Sequence, residues 1–496
     1  MTAAPFTSVV ILGGGTAGWM TAASLASRFE GLQLTITLVE SSDIATIGVG
    51  EATVPAIRDY IASLGLDTRD VMRATQGTVK LGIEFAGWKS PGHSFFHPFA
   101  LYGIRAGTVP FHHLWLAAGQ DGDLAHYNLG TQMALAGRFA PPHTPPRGDF
   151  DVCDWAMHFD AGLFARYLRD YATARGVRRI DARLTEAEVR SEDGFVTALR
   201  LDTGEAVIGD LFIDCSGLRS LLLQKALNVP FVDWSHWLPC DRAVAMPCEN
   251  AAGLQPYTRA TAQAAGWTWR IPLQHRVGNG YVYSSDAISD DEAIATLSAG
   301  LEGQALADPN LIRFRTGHAE SFWSKNVIGI GLSSGFLEPL ESTSIATIHS
   351  AIDRLLTLFP DTGFVDALRD EYNRTATLEF ERIRDFIILH YYANQRPGEA
   401  FWQRCREMMP PDSLKRRIDL FRSHGHFVRQ DWDSFFDAGW LSLYAGFGWL
   451  PPVRPEATAG IDLDQIRTVL PRLRNDIRAL AEAAPAHEHF LNGLRS

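Results

Sequence analysis

The chain has 496 residues, of which 46% are hydrophobic and 21% charged, a balance typical of globular proteins with a large buried core. This length accommodates two or three domains, or subdomains that interleave along the sequence. The formal net charge of −12 and the lack of a basic tract argue against nucleic acid as a partner. Since no apolar run reaches the ~18 residues that a membrane span needs, we expect no membrane association.

The cysteines and the N-terminus indicate the compartment. The five cysteines are scattered and never spaced C-x-x-C, which predicts reduced thiols in a cytoplasm. No lysine or arginine precedes Arg28, so the basic region of a signal peptide is missing. Arginine carries almost all of the basic charge, and the lysines are few: Lys80, Lys89, Lys225, Lys325 and Lys415.

A glycine-rich loop follows the first predicted strand. Gly13, Gly15 and Gly18 fit the pattern G-x-G-x-x-G, and an alanine-rich helical stretch comes directly after them. A second apolar strand ends at Glu40, 22 residues beyond Gly18, where an acid would bind a ribose hydroxyl. The order of strand, glycines, helix, strand and acid predicts a β-α-β dinucleotide site with the pyrophosphate at the helix N-terminus.

A second loop with glycines covers residues 47–55 and leads into a predicted helix from Ala56 to Leu66. The loop is either an ordinary turn with Thr53 as a helix N-cap, or a functional loop. The residues alone leave both interpretations open.

Residues 78–86 alternate in polarity, with Val79 on the apolar face and Lys80 on the other, which predicts a strand. A solvated lysine is the ordinary interpretation of Lys80. However, lysine is scarce in this chain, and an amine can carry out nucleophilic or proton-transfer chemistry that guanidinium cannot.

Residues 93–115 are rich in histidine and aromatic side chains. Metal-ligand spacing is missing, so a metal site is disfavoured. The remaining interpretations are a packed core and the wall of a pocket for a flat apolar ligand.

The middle of the chain predicts a surface loop over 134–152, an amphipathic helix over 155–176 and strands over 197–214. The last strand runs into a turn of small residues from Cys215 to Ser220, which resembles the second flavin contact of FAD-binding proteins.

Trp267 and Trp269 are two residues apart, so on a strand they share one face. Another strand and turn cover 326–346, where Ser342, Thr343 or Ser344 could cap a helix that continues to about Phe359. The C-terminal region predicts mainly helices, most clearly over 363–394 and 461–484.

Three motifs together resemble the flavin-dependent halogenases of the tryptophan halogenase family. They are the loop from Gly13 to Trp19, the W-x-W-x-I-P element from Trp267 to Pro272, and the stretch from Pro339 to Thr343. The paired-tryptophan element is the most specific, because it separates these halogenases from flavin monooxygenases. The resemblance covers most of the chain and is weakest after about residue 430.

The resemblance implies an α/β fold of the GR2 type, related to p-hydroxybenzoate hydroxylase, as an FAD-binding box with a largely helical C-terminal pyramid. The box would cover 1–360, with substrate-site segments at about 78–115 and 230–290 interleaved in it, and the helical subdomain 361–496. The implied FAD contacts are Gly13, Gly15, Thr16, Ala17, Gly18, Glu40, Gly50, Ala52, Thr53 and Leu337.

The resemblance also assigns the reaction residues. Lys80 and Glu341 would be catalytic, and Thr343 and Ser344 would form the halide site. His97, Phe99, Tyr444 and Trp449 would line the substrate pocket. Trp267 and Trp269 would separate the flavin from the arene.

The implied reaction begins with FADH2, O2 and chloride or bromide, which give hypohalous acid. That acid travels through the protein to Lys80, where it is either hydrogen-bonded or converted to an N-halo-lysine. Glu341 would polarise the reagent or take the ring proton of the arene. No second nucleotide-binding fingerprint is visible, so a separate NAD(P)H-dependent flavin reductase would supply reduced flavin. A homodimer is left open.

Two departures from the family pattern shape the expected specificity. Many members have Thr-Gly where this chain has Thr343-Ser344, so the added side chain favours bromide over chloride. Tryptophan-specific members carry a Tyr-Tyr pair and an acid late in the chain, whereas residues 441–449 offer one tyrosine and no acid. Indole or another electron-rich arene is therefore expected over free tryptophan. The alternatives are an aromatic hydroxylase and a non-catalytic flavin-binding protein.

Overall fold

The computed structural model describes residues 6–43, 50–251 and 253–495. The chain divides into two compact units, each assembled from three segments. The first comprises Met1–Gly77, Phe159–Asp241 and Arg313–Glu381, and the second comprises Thr78–His158, Arg242–Ile312 and Arg382–Ser496. Most of the predicted segments at about 78–115 and 230–290 lies in the second unit.

The strands of the described residues are, in chain order, β1 (Ser8–Leu12), β2 (Thr35–Glu40), β3 (Gly50–Ala52), β4 (Thr78–Lys80), β5 (Gly82–Ala86), β6 (Ser94–Pro98), β7 (Ala156–Asp160), β8 (Arg178–Asp181), β9 (Leu184–Val189), β10 (Val196–Leu201), β11 (Ala206–Ile208), β12 (Leu211–Asp214), β13 (Phe231–Asp233), β14 (Arg242–Ala245), β15 (Thr258–Gln263), β16 (Gly266–Pro272), β17 (Val277–Tyr283), β18 (Asn310–Arg313), β19 (Gly317–Ala319), β20 (Trp323–Ser324), β21 (Val327–Gly329) and β22 (Gly335–Phe336).

The α-helices of the same residues are α1 (Thr16–Arg28), α2 (Ala56–Ser63), α3 (Thr68–Ala74), α4 (Phe111–Ala117), α5 (Leu129–Leu135), α6 (Ala161–Thr173), α7 (Asp290–Ala299), α8 (Ser344–Thr357), α9 (Asp366–Tyr392), α10 (Ala400–Glu407), α11 (Asp412–His424), α12 (Asp437–Phe447), α13 (Leu463–Ala483) and α14 (His487–Arg495).

The first unit is built on a sheet in the order β20-β21-β12-β1-β2-β8. Its strands from β21 to β8 are parallel, and β20 is an antiparallel edge. The central strand β1 is almost completely buried, and α1 packs against α6 and α8. Because parallel strands end at one edge, the turns after β1 and β12 lie side by side there.

The second unit contains a sheet in the order β18-β14-β17-β16-β15-β5-β6. Strands β15, β16 and β17 form an antiparallel meander, and β5 pairs with β15 in parallel. A separate antiparallel pairing joins β4 to β7. Helix α12 packs on β6, and α13 packs on α5.

Most predicted elements are confirmed: the opening β-α-β unit, the strands over 197–214, the tryptophan strand and the C-terminal helices. Two predictions are wrong in detail. Residues 156–160 form β7, and α6 begins only at Ala161, where the Asp160 side chain accepts the Leu163 amide hydrogen. The strand predicted over 78–86 is divided at Leu81 into β4 and β5, which pair with different strands.

The helices and the cysteines of the described residues can be compared with the predictions on membrane spans and on thiols. None of their helices combines the length and apolar character required to cross a membrane. Cys215, Cys240, Cys248 and Cys405 are buried, and Cys153 is partly exposed.

Candidate active site

The glycine loop of the first unit is a place of close backbone contact. Gly13 has a φ of +115°, and a Cβ there would lie 2.2 Å from the Cys215 carbonyl oxygen in the turn after β12. A Cβ on Gly18 would lie 1.8 Å from the Gly13 carbonyl oxygen. These two glycines are therefore needed for the turn and for the packing of α1 against it.

Gly15 differs, because an added Cβ there would meet no atom within 4 Å. Gly15 is the N-cap of α1, its φ is −75°, and the first turn contains Thr16 and Ala17 but no acidic residue. The open space faces a helix start whose amide hydrogens have no side-chain cap. This arrangement fits a pyrophosphate at the N-terminus of α1.

Glu40 ends β2 beside this loop. Its Oε1 accepts a hydrogen bond from Arg179 Nε, and the carboxylate is 15% exposed. An ideal Cβ on Gly14 would overlap the other oxygen, Oε2, so the carboxylate lies against the loop. This position suits an acceptor for a ribose hydroxyl, and with Gly15 it fits the ADP half of FAD.

The second glycine loop continues as strand β3. Gly50 and Ala52 are buried within it and Thr53 is buried directly after it, whereas Gly48 and Val49 lie outside the described residues. Between them, burial raises the pKa of the Glu51 carboxyl from 4.5 to about 7. A carboxyl that titrates near neutrality is a common feature of functional sites.

A strained turn in the first unit carries Glu341. Leu337 is buried before it, Pro339–Glu341 form one 3₁₀ turn, and Ser342 follows with a φ of +60°. The Glu341 side chain is 1% exposed. A left-handed conformation at a residue other than glycine costs free energy and is concentrated at functional sites.

Helix α8 begins directly after this turn, at Ser344. Its N-cap is Thr343, whose side chain makes no capping hydrogen bond. Amide hydrogens of the first helical turn therefore point away from the helix without a capping side chain, which suits an anion.

Lys80, in the second unit, is the last residue of β4 and is fully buried, so the interpretation as a solvated lysine is wrong. Its Nζ lies 5.1 Å from the centroid of the Phe99 ring. Burial of a lysine head group is costly, and the electron-rich ring face offsets part of that cost.

Aromatic rings surround His97 in the same unit. The His97 ring centroid lies 6.4 Å from that of Phe99, 5.5 Å from Phe386 and 6.1 Å from Phe435. Phe386 and Phe435 are stacked 3.7 Å apart, and a Cβ on Gly439 would lie 2.8 Å from His97 Nε2. The aromatic cluster predicted over 93–115 thus includes Phe386 of α9 and Phe435 just before α12, which the sequence did not indicate.

Trp267 and Trp269 lie on β16, with ring centroids 6.2 Å apart, so the predicted shared face is confirmed. Both side chains are buried. Gly280 lies opposite Trp269 on β17, and a Cβ there would lie 2.0 Å from the Trp269 ring. The glycine therefore provides the space that this indole occupies.

Tyr444 and Trp449, the two C-terminal residues predicted to line the substrate pocket, contact residues of the helical region. Tyr444 is buried and stacked on Phe421 at 4.1 Å, with Trp440 at 6.0 Å. Trp449 is partly exposed and contacts Tyr392 and Arg422. Their assignment to the substrate pocket stays a prediction.

Over residues 6–43, 50–251 and 253–495, no cluster of three histidine, cysteine or acidic side chains has the arrangement of a metal site.

A glycine loop at the carboxyl ends of parallel strands, with an acid at the end of β2, defines the class of dinucleotide-binding α/β proteins. The comparisons with known proteins give the family. The model of the tryptophan halogenase family matches residues 8–461, and the chain belongs to that family.

Relatives and solved structures agree with this assignment. Tryptophan 6-halogenase ThaL of Streptomyces albogriseolus is 35% identical over 90% of both chains. BrvH, a flavin-dependent halogenase from Brevundimonas sp. BAL3, is 50% identical, with a TM-score of 0.95 over 99% of each chain. Xcc4156, a flavin-dependent halogenase from Xanthomonas campestris, is 41% identical, with a TM-score of 0.94 over 99% of this chain and 98% of that one. The protein is therefore a flavin-dependent halogenase, which uses a flavin and a halide to halogenate an aromatic substrate.

The first testable prediction concerns two glycines of the loop. Gly18→Ala should lower the free energy of unfolding of the FAD-free protein by about 1–3 kcal/mol, because its methyl group overlaps the Gly13 carbonyl. Gly15→Ala should leave that free energy within about 0.5 kcal/mol, because its methyl group meets open space. It should nevertheless weaken FAD binding by about tenfold or more, equal to about 1.4 kcal/mol. Denaturant unfolding and FAD titration measure both quantities, and unchanged FAD affinity in Gly15→Ala would contradict the assigned site.

The second prediction concerns Glu51. The pKa of the Glu51 carboxyl is about 7 in the folded protein, whereas its ordinary value is 4.5. Between pH 4.5 and 7, the carboxyl therefore keeps its proton in the folded protein and loses it in the unfolded chain. The stability contributed by this carboxyl therefore falls as pH rises from about 4.5 to 7 and is constant above that range. Glutamine does not titrate, so the unfolding free energy of Glu51→Gln minus that of the wild type should increase as pH rises from about 5 to 7. The expected increase is about 1–2 kcal/mol, because partial exposure of Glu51 reduces the effect of burial. A difference independent of pH would show that Glu51 titrates normally.

Proposed function

We propose that this chain is an FADH2-dependent halogenase that generates hypohalous acid from O2 and halide and uses it to halogenate an indole-type arene at Lys80. The observation that carries the proposal is a fully buried lysine against the Phe99 ring, in the unit whose aromatic residues surround His97. Bound reduced flavin supplies the hypohalous acid, and the remaining chemistry belongs to the protein's own side chains.

Lys80 holds the halogenating agent. Its Nζ either donates a hydrogen bond to the oxygen of hypohalous acid, or exchanges one N–H hydrogen for halogen with release of water. In both cases the arene carbon forms a bond to halogen as the oxygen–halogen or nitrogen–halogen bond breaks. The ring proton then leaves to a base. Exclusion of water at a fully buried amine favours transfer to the arene over loss of the oxidant.

Glu341 is the proposed carboxylate of the reaction, which polarises the reagent or accepts the ring proton. Its near-complete burial and its position in the strained turn before α8 support this role. A carboxylate removed from water is a stronger base than an exposed one, because desolvation disfavours its charged form.

The halide is proposed to bind at Thr343 and Ser344, where α8 begins. The supporting feature is a helix N-terminus without a capping side chain. The Ser344 side chain occupies a place where many family members have glycine. This extra group changes the size of the site, and we propose that bromide is preferred.

The relatives named as tryptophan halogenases act on tryptophan, whereas we propose an indole-type arene without the amino-acid group for this chain. The supporting observation is the single tyrosine of residues 441–449. Tyr444 is 1% exposed and stacked on Phe421, so its ring is part of a packed layer. A buried phenol of this kind is poorly placed to bind the charged groups of an amino acid.

Two further proposals concern the supply of reduced flavin and the separation of the flavin from the arene. A separate NAD(P)H-dependent flavin reductase would provide reduced flavin, since the sequence shows one nucleotide-binding fingerprint. Trp267 and Trp269 would keep the arene from the flavin, so that only the small oxidant passes between the two reactions.

The third prediction tests Lys80. Lys80→Met keeps an unbranched side chain of similar length and removes the amine. With a flavin reductase, FAD, NADH and bromide, this variant should still produce hypohalous acid but should halogenate indole at least about 10²-fold more slowly than the wild type. Trapping of free oxidant and mass spectrometry of the indole product measure the two outputs.

Lys415→Met is the matched control for that variant. Lys415 is 63% exposed and paired with Asp419 on α11, so its loss should leave both outputs unchanged. Wild-type halogenation by Lys80→Met would exclude the proposed role. Addition of oxygen in place of bromine to the arene would instead indicate a hydroxylase.

The fourth prediction concerns specificity. In a panel of indole, free tryptophan and other electron-rich arenes, with chloride and bromide in turn, indole with bromide should give more product than tryptophan with chloride. Yields by mass spectrometry at equal concentrations of substrate and halide measure the preference. Efficient turnover of free tryptophan would contradict the proposed substrate, and equal or better chlorination would contradict the proposed halide.

A further inference from the structure

A chain of hydrogen bonds, made by fully or almost fully buried side chains, joins the strand of Lys80 to the strand of the tryptophan pair. Thr78 Oγ1, two residues before Lys80 on β4, donates to the Pro272 carbonyl oxygen at 2.6 Å. His158 Nδ1 lies 2.8 Å from the same hydroxyl, and His158 Nε2 lies 2.9 Å from Thr258 Oγ1. Thr78 and His158 are fully buried, and Thr258 is 4% exposed.

The donors and acceptors fix the direction of the first two links of this chain, and a neutral His158 ring fixes the third. The Thr78 hydroxyl has a single hydrogen, and the Pro272 carbonyl can only accept it. Thr78 must therefore accept from His158, which places the imidazole hydrogen on Nδ1. His158 Nε2 then accepts from the Thr258 hydroxyl.

A second histidine fixes the middle residue of β4. The Val79 amide donates to His487 Nε2 at 3.2 Å, so this nitrogen carries no hydrogen. His487 Nδ1 lies 2.8 Å from the Leu254 carbonyl oxygen and must donate to it. His487 is thus a neutral imidazole with the hydrogen on Nδ1, and His158 also carries a hydrogen on Nδ1.

The surroundings of His158 and His487 keep both imidazole rings neutral. Burial, followed by the positive charges of Lys80 and other neighbours, lowers the pKa of His158 well below its ordinary value. Burial lowers the pKa of His487 to about 4. A protonated His487 could not accept from the Val79 amide, so neutrality is required for that contact. The lowered pKa of His158 keeps its ring neutral as well, so that its Nε2 accepts from Thr258.

The strand that these contacts hold is short. Strand β4 has three residues and pairs with β7 through Thr78–His158, Val79–Met157 and Lys80–Ala156. Thr78 and Lys80 share one face of it, because side chains alternate along a strand. Any slip of Thr78 therefore moves the Lys80 side chain relative to the Phe99 ring.

We infer that His158 and His487 are positioning residues for Lys80. His158 holds the Thr78 hydroxyl in the orientation that donates to Pro272, at the end of the strand of Trp267 and Trp269, and His487 holds the Val79 amide beside Leu254. The inference rests on the proposed function for the role of Lys80. A misplacement of a reacting group by about 1 Å costs about 10²-fold in rate, so this anchoring determines how much oxidant reaches the arene.

The test compares Thr78→Val with Thr78→Ser. Valine has nearly the same shape but no hydroxyl, so the chain is broken, whereas serine retains it. Thr78→Val should halogenate indole at least tenfold more slowly than the wild type, with hypohalous acid production within twofold of it, so that more oxidant escapes. Thr78→Ser should recover halogenation to within about threefold of the wild type, since it keeps the hydroxyl. Unchanged halogenation in Thr78→Val, or an equal loss of both outputs, would overturn the inference.

A second pair keeps the test decisive if Thr78→Val fails to fold. His487→Gln offers an amide oxygen to the Val79 amide, and His487→Leu does not. The inference is supported if His487→Leu halogenates indole more slowly while its production of hypohalous acid is retained, and if His487→Gln recovers the halogenation. Equal behaviour of these two variants overturns it.

Crystal structures separate this inference from the proposed function. If the wild type makes neither hypohalous acid nor halogenated indole, the proposed function fails, but the location of Lys80 can still be measured. The distance from Lys80 Nζ to the Phe99 ring centroid, 5.1 Å, should change in Thr78→Val and remain in Thr78→Ser. An unchanged distance in both variants would overturn the inference.

Discussion

The removal of the Lys80 amine from water is the constraint on which the second unit depends. A lysine head group loses strong hydration on burial, and only specific neighbours can offset that loss. Here the Phe99 ring face offsets part of that loss, and the lowered pKa of His158 keeps a second positive charge away from the amine. The same dry surroundings that make the amine costly to bury suit its proposed role with an oxidant, because they exclude water. Stability and chemistry thus impose opposite demands on one side chain.

The first unit solves a different problem, the close approach of a large anionic cofactor to backbone. Its parallel strands bring the turns after β1 and β12 to one edge, and Gly13 and Gly18 allow them to pack without side chains. This part of the structure could be predicted from the sequence, because its signals are local. Glycine spacing, strand patterning and the acid at Glu40 all lie within about 30 residues of one another, as the β-α-β motif requires.

Other features could not be predicted, because they depend on contacts between distant segments. The alternation of residues 78–86 predicts one strand, whereas Leu81 divides it, since β4 and β5 find partners in different places. Phe386 and Phe435 read as ordinary aromatic residues of the helical region, and only folding brings them to His97. His487 is more than 400 residues from Val79 in the chain, so no spacing rule could associate the two.

The pairing of Trp269 with Gly280 has an evolutionary consequence. The indole fills the volume that any larger residue at 280 would need, so neither position can change freely while the other stays as it is. A smaller residue at 269 would leave a void over β17, and a larger one at 280 would expel the ring. The two positions therefore form a single epistatic unit. Variation of the tryptophan strand at this point must therefore pass through coupled substitutions at both positions.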